Sequence, residues 1–184
     1  MHITNQERFM QSSYNGVAKS FHWIIMILVL LMLYGGFTSE SLPKEDRLGF
    51  FQTHAGLGLV ILILMLARLV WRLSHPVPAL PVGLPRWQQI ASKATHHGLY
   101  ALVILQPIFG LILATSSKFN LKAFGLLGLQ IAPNETVHQV GETLHGINAW
   151  VITALIGLHV AAALYHHFIL RDNVLKRMLP FVKA

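Results

Sequence analysis

Residues 53–73 read THAGLGLVILILMLARLVWRL, an apolar run in which no charged side chain appears before Arg68. A run of this length crosses about 30 Å of hydrocarbon as one helix, since such a span needs about 20 residues. Together with three further apolar runs, it gives four predicted spans, at about 21–37, 50–73, 95–115 and 146–170. In lipid the backbone must satisfy its own hydrogen bonds within helices. The sequence therefore predicts an all-α, integral membrane four-helix bundle, formed as a single domain over residues 1–184.

The composition supports a membrane protein and argues against most soluble functions. Hydrophobic residues make up 54% of the 184 residues and charged residues only 11%, whereas a soluble domain carries about 25% charged residues. The net charge of +7 comes from few cations spread among apolar runs, so we expect lipid and not nucleic acid as a partner. The chain has no cysteine, which excludes disulfides, iron–sulfur clusters and thioether-linked haem.

The distribution of lysine and arginine predicts the orientation in the membrane. With four spans, one face would hold both termini and the second loop, and its cations are Arg8, Lys19, Arg68, Arg72, Arg86, Lys93, Arg171, Lys176, Arg177 and Lys183. The opposite face holds only Lys44, Arg47, Lys118 and Lys122. The more basic face is expected to be cytoplasmic, so both termini are predicted inside the cell. No A-x-A-like site follows the first apolar run, so we expect no cleavable signal peptide.

Histidines within the spans are the strongest functional signal, because an ionisable residue in a membrane helix is costly and usually functional. His145 and His159 are fourteen residues apart on the fourth predicted helix. At 100° and 1.5 Å per residue they lie within about 40° of one face and about 21 Å apart along the axis. Two ligands so placed suit two haems stacked across the bilayer.

The direction of each helix pairs these histidines with two others. His22 begins the first helix on the inner side, which is the depth of His159. His54 lies about a turn into the second helix on the outer side, which is the depth of His145. The predicted pairs are therefore His22 with His159 and His54 with His145, as axial ligands of haem iron. Two imidazoles leave no open position on the metal, and without cysteine the expected cofactors are two noncovalent haems b.

Three further residues are candidates near these sites. His96, at the inner end of the third span, competes with His22 for the inner haem. His166 lies seven residues after His159 and points about the same way, as a candidate contact at the inner haem's rim. Arg68 lies fourteen residues after His54 and is a candidate contact for a haem propionate or an anionic substrate. The alternative for Arg68 is a side chain that snorkels to the interface.

Several motifs resemble the bacterial cytochrome b561 family of small, quinone-linked di-haem membrane proteins. They are SFHW at 20–23, the run at 53–73, HHGLYALVILQPIFGL at 96–111 and GLHVAAALYHHFILRDNVLKRMLP at 157–180. The resemblance implies haem ligation by His22, His54, His145 and His159 with the same pairing, and ubiquinone as the electron acceptor. It also implies a bacterial inner-membrane location. The family includes a superoxide oxidase, so superoxide is one expected donor.

Three functions remain open from the sequence. The first is an oxidoreductase that passes electrons from a small donor such as superoxide to ubiquinone, with Lys44, Arg47, Lys118 and Lys122 as outer cations that attract an anion. The second is a haem-bearing anchor and electron-relay subunit of a larger dehydrogenase or hydrogenase. The third is a haem-free transporter lined by the same histidines. A partner subunit or a homodimer is compatible with each of them.

Overall fold

The computed structural model describes residues 13–80 and 83–182; Arg8 and Lys183 of the charge count lie outside these ranges. Four long helices form the fold: α1 (Gly16–Thr38), α2 (Lys44–Ser74), α3 (Arg86–Thr115) and α4 (Glu135–Tyr165), the last continued by a π-helical turn over His166–Leu170. All four are long and apolar enough to cross a membrane. The predicted all-α, four-helix membrane fold is confirmed.

Polar capping residues extend the helices beyond the predicted apolar spans. The side chain of Asn15 accepts a hydrogen bond from the Ala18 amide at the start of α1, over 2.9 Å. Asn134 caps α4 in the same way through the Val137 amide, over 3.0 Å. Such caps satisfy amides that lack a partner within the helix. A hydropathy pattern detects only the apolar part of a helix. The helix α4 in fact begins at Glu135, well before the apolar run at 146–170, so His145 lies within α4.

Consecutive helices pack against one another around a core in the middle of the bundle. The buried core residues come from all four helices: Ile25, Val29, Ile61, Met65, Val103 and Ile152. In the described ranges α4 packs closely along α3, whereas its backbone does not pack closely along α1 or α2. The gaps between α4 and the helices α1 and α2 are therefore wide enough to hold side chains from both sides.

The two ends of the bundle have different connections. The end that carries Ser13 and Val182 is called the termini end below; there the Tyr14 amide bonds to the Arg177 carbonyl over 3.2 Å. The opposite end, called the hairpin end, carries a short hairpin formed by β1 (Lys122–Ala123) and β2 (Leu127–Gly128).

The hairpin is fixed on α2 close to His54. Phe124 lies in the left-handed region at φ 52°, which costs energy for a residue with a side chain. Its amide bonds to the Gln52 carbonyl over 2.9 Å, and its ring covers Gly56, where an added Cβ would come within 2.5 Å of the ring. Glycine at position 56 thus lets the loop close over the hairpin end.

Candidate functional site

At the termini end, His22 and His159 face each other across the bundle from α1 and α4. Their ring centroids are 6.2 Å apart and the ring planes are inclined at 67°. His22 lies two turns into α1, and His159 lies two turns before the end of α4. The two residues that helix direction pairs at the inner side are thus neighbours in space.

At the hairpin end, His54 and His145 face each other from α2 and α4 with nearly the same geometry. Their ring centroids are also 6.2 Å apart and the planes are inclined at 66°. Both pairs use one histidine from α4, and those two residues are fourteen positions apart. The structure therefore repeats one arrangement at two depths of the bundle.

The spacing within each pair fits a metal held between two imidazoles. A metal–imidazole bond of about 2.0 Å, with the ring centroid about 1.15 Å behind the nitrogen, places the centroids of two axial imidazoles about 6.3 Å apart. Both pairs match this value at 6.2 Å. Within residues 13–80 and 83–182, no cluster of three or more His, Cys, Asp or Glu side chains could hold a metal ion on its own. The histidines fit axial ligation of a macrocycle better than a bare metal site.

His96 also lies near the termini-end pair but at a different spacing. Its ring centroid is 5.4 Å from that of His159, which leaves about 3.1 Å between facing nitrogens, too little for two bonds of about 2.0 Å. Its Nδ1 donates to the Ser92 carbonyl in its own helix over 2.7 Å. His22 is therefore the better partner of His159, and His96 packs beside the pair.

A polar network that the sequence analysis missed holds His145. The ring N–H at Nδ1 of His145 donates to the Gln106 carbonyl over 3.1 Å, and Gln106 Nε2 donates back to the His145 carbonyl over 3.1 Å. Nδ2 of Asn148 donates to Gln106 Oε1 over 2.7 Å and to the Leu102 carbonyl over 2.9 Å. A proton on Nδ1 leaves Nε2 of His145 free to bind a metal. Polar residues inside an apolar span were the available signal for this network.

Glycine makes room for the same ring. A Cβ at Gly110 of α3 would lie 3.2 Å from Cε1 and 3.4 Å from Nδ1 of His145. These distances are at or below ordinary van der Waals contact, so a side chain there would push the imidazole. The hairpin-end site thus depends on α3 as well as on α2 and α4.

Positive charge lies beside the termini-end pair. Nη2 of Arg68 is 3.3 Å from Nδ1 of His22 and donates toward it. Arg68 and Arg72 both place their guanidinium groups over the ring of Tyr100, at 5.2 and 5.4 Å from its centroid. The charged group of Arg68 thus turns toward the histidine pair.

His166 has a partner of its own beyond the end of α4. Its Nδ1 lies 2.5 Å from Oδ2 of Asp172, and both side chains are largely buried. The Asp172 amide bonds back to the His166 carbonyl over 3.1 Å, after the chain turns through Arg171 at φ 54°. The structure thus assigns this nitrogen of His166 to Asp172.

Comparison with known proteins decides the family. The family model described as prokaryotic cytochrome b561 matches residues 13–181. The chain belongs to the prokaryotic cytochrome b561 family. The predicted resemblance is thereby confirmed, and the protein is a bacterial inner-membrane cytochrome that binds haem b and transfers electrons.

Similar proteins include cytochrome b561 homolog 1 of Escherichia coli (strain K12), which is 29% identical over 165 residues, covering 86% of this cytochrome and 92% of that protein. A probable superoxide oxidase CybB of Yersinia pestis is 29% identical over 179 residues, covering 93% and 98% of the two chains. Cytochrome b561 homolog 2 of E. coli (strain K12) is 28% identical over 172 residues, covering 90% of each. The family assignment favours electron transfer over the haem-free transporter.

Proposed function

We propose that this cytochrome holds two haems b, one at each histidine pair, and transfers electrons from a small donor to membrane ubiquinone. The observation that carries the proposal is the repeated spacing of 6.2 Å within both pairs. His22 and His159 are the proposed ligands at the termini end, and His54 and His145 those at the hairpin end. The two proposed ligands from α4, His145 and His159, lie near one face of that helix and about 21 Å apart along its axis.

Bound haem supplies reversible one-electron chemistry. Each histidine pair would hold one iron through two imidazoles, and this would leave no position on the metal for a substrate. Donor and acceptor would therefore react at the edges of the site. The four histidines are half-buried between the helices, and the network of Gln106 and Asn148 fixes the orientation of His145.

The excess of Lys and Arg at the termini end supports a cytoplasmic location for that end. The hairpin end then faces the opposite side of the membrane, where an external donor arrives. In this orientation the donor would react near His54 and His145, and the acceptor near His22 and His159.

Superoxide is the proposed donor. Each superoxide loses one electron and becomes dioxygen, and two such electrons with two protons convert one ubiquinone to ubiquinol. Support comes from the Yersinia pestis relative, which is described as a probable superoxide oxidase.

The cations at the hairpin end differ in their availability to an anion. Lys118 Nζ lies 2.7 Å from the Glu135 carboxylate, and the hydrogen bond and charge of Glu135 raise the pKa of Lys118. Arg47 donates to the carbonyls of Glu40 and Leu42 over 2.6 and 3.1 Å. Since an acidic partner cancels most of the field of a lysine, Arg47 attracts an anion more than Lys118 does.

Lys44 and Lys122 make no ion pair with any described residue. We therefore assign the attraction of superoxide mainly to Lys44, Arg47 and Lys122.

The test measures ubiquinol formation by the detergent-purified cytochrome while superoxide is generated enzymatically in the presence of a short-chain ubiquinone. We expect quinone reduction that superoxide dismutase abolishes and that His145→Ala lowers at least tenfold. Lys118→Gln serves as the matched control and retains most of the rate. Haem that is reduced only after a partner dehydrogenase or hydrogenase is added, with no superoxide-driven ubiquinol, would favour the anchor and relay subunit instead.

A further inference from the structure

A pocket opens at the termini end between α1, α2, α3 and the C-terminal segment. Its lining includes Tyr14, Arg68, Arg72, Tyr100 and Met178. The two arginines are four residues apart on α2, so they project from one face of that helix. Both are half-buried, and both stack on the single ring of Tyr100.

The positive charge in this pocket is not balanced by any described side chain. The ion pairs in residues 13–80 and 83–182 are Lys118 with Glu135 and His166 with Asp172, and neither involves Arg68 or Arg72. Like charges at this spacing repel each other. The face of the single Tyr100 ring offsets only part of this repulsion, because a cation–π contact is weak compared with pairing to an anion. The pocket therefore favours an anion.

Metal binding at His22, which rests on the proposed function, would make the pocket favour an anion more strongly. Arg68 now donates toward Nδ1 of His22. A neutral imidazole that binds iron through Nε2 carries its proton on Nδ1. Two donors would then face each other, and Arg68 would need a different acceptor. Metal binding at His22 and anion binding by Arg68 should therefore favour each other.

We propose that the pocket formed by Arg68, Arg72 and Tyr100 binds an oxyanion, either a carboxylate or a phosphate. Guanidinium groups bind both through paired N–H donors. Two sources supply this chemistry at the end of a membrane bundle: the propionate of haem bound between His22 and His159, and the phosphate of an anionic phospholipid. Arg68 lies nearer the histidine pair, and Arg72 lies one turn further toward the end of α2.

The first arm of the test measures binding of haem and of haem dimethyl ester, which lacks free carboxylates, to full-length haem-free protein made in haem-deficient cells. Absorbance titrations give the dissociation constant of each for the wild type, Arg68→Gln, Arg72→Gln and the exposed control Arg86→Gln. If a propionate occupies the pocket, the wild type prefers haem over the ester at least tenfold at the termini-end site. Arg68→Gln or Arg72→Gln then reduces the preference toward one, and Arg86→Gln leaves it unchanged.

The second arm measures retention of phosphatidylglycerol by native mass spectrometry of the same proteins purified from micelles that contain it. If a phospholipid occupies the pocket, the wild type and Arg86→Gln retain one lipid more than Arg68→Gln and Arg72→Gln do. Equal ester preference and equal lipid retention in all four proteins would overturn the proposal even where two haems are bound. If no haem binds, the di-haem function fails separately and lipid retention alone decides the pocket.

Discussion

The two histidine pairs share one geometry and have opposite surroundings. At the hairpin end His145 donates to a backbone carbonyl, and its neighbours Gln106 and Asn148 are neutral amides. At the termini end the guanidinium of Arg68 lies 3.3 Å from His22, with Arg72 one turn away. The ligand spacing is the same, so the difference lies in the second layer of residues.

This difference predicts unequal reduction potentials. A carbonyl acceptor on Nδ1 makes an imidazole more basic and favours the oxidised metal, whereas a nearby cation favours the reduced state. We therefore expect the termini-end haem to have the higher potential. Electrons then run downhill from the hairpin end to the termini end, in the direction required for an external donor and an acceptor near the other face.

The largest expected effect is loss of one haem of two. His22→Ala and His159→Ala should remove the same component of the reduced-minus-oxidised spectrum, and His54→Ala and His145→Ala the other, because each iron loses an axial ligand. His96→Ala is the control and should retain both components. If His22→Ala and His54→Ala removed the same component, the pairing would be wrong.

Asn148→Leu tests the neutral network at the hairpin end. It removes the donor of Gln106 Oε1 and the additional hydrogen bond to the Leu102 carbonyl, and a buried unpaired polar group costs about 1–3 kcal/mol. We expect a lower melting temperature and earlier thermal loss of the hairpin-end haem, followed by absorbance. Thr143→Val, on an exposed part of α4, should leave both unchanged. Equal loss of the two haems in Asn148→Leu would show that the network does not act on His145 in particular.

Arg68→Gln tests the charge at the termini end. Removal of the cation should lower the midpoint potential of the termini-end haem by about 59 mV, which is a tenfold change in a one-electron equilibrium. Potentiometric titration followed by absorbance measures both haems at once. The hairpin-end potential should not change, and Arg86→Gln should shift neither. A potential that rises in Arg68→Gln would contradict the assignment of this arginine.

Gly110→Ala should have the smallest effect. The new Cβ would lie 3.2 Å from Cε1 of His145, while alanine gains about 1 kcal/mol of helix propensity over glycine. We expect a few-fold weaker retention of the hairpin-end haem at nearly unchanged stability. Gly49→Ala, where nothing lies within 4 Å, gains the propensity without the contact. Indistinguishable haem retention in the two variants would mean that His145 tolerates the added methyl group.

The sequence was sufficient to predict the four helices. It also predicted that the two histidines of each pair lie close together. Long apolar runs determine the membrane spans. Helix direction then places His22 at the depth of His159 and His54 at the depth of His145, since a membrane allows few other arrangements. Helix direction alone also allowed His96 as a partner of His159, and only the structure shows that its ring lies closer to His159 than the ring of His22 does, at 5.4 Å against 6.2 Å.

The second layer could not be predicted in the same way, because it depends on contacts between helices at residue resolution. Gln106 and Asn148 meet only because α3 and α4 pack in one particular register. The joint stacking of Arg68 and Arg72 on Tyr100 likewise requires the rotation of α2 relative to α3. The Phe124 contact with Gly56 depends on a left-handed residue that no periodicity indicates.

The most direct test of a haem at each histidine pair is the haem-to-protein ratio of the detergent-purified chain, measured by the pyridine haemochrome assay with an independent protein determination. We expect about two haems b per chain in the wild type and about one in His145→Ala. A wild-type ratio of one, unchanged in His145→Ala, would contradict a haem at the hairpin end.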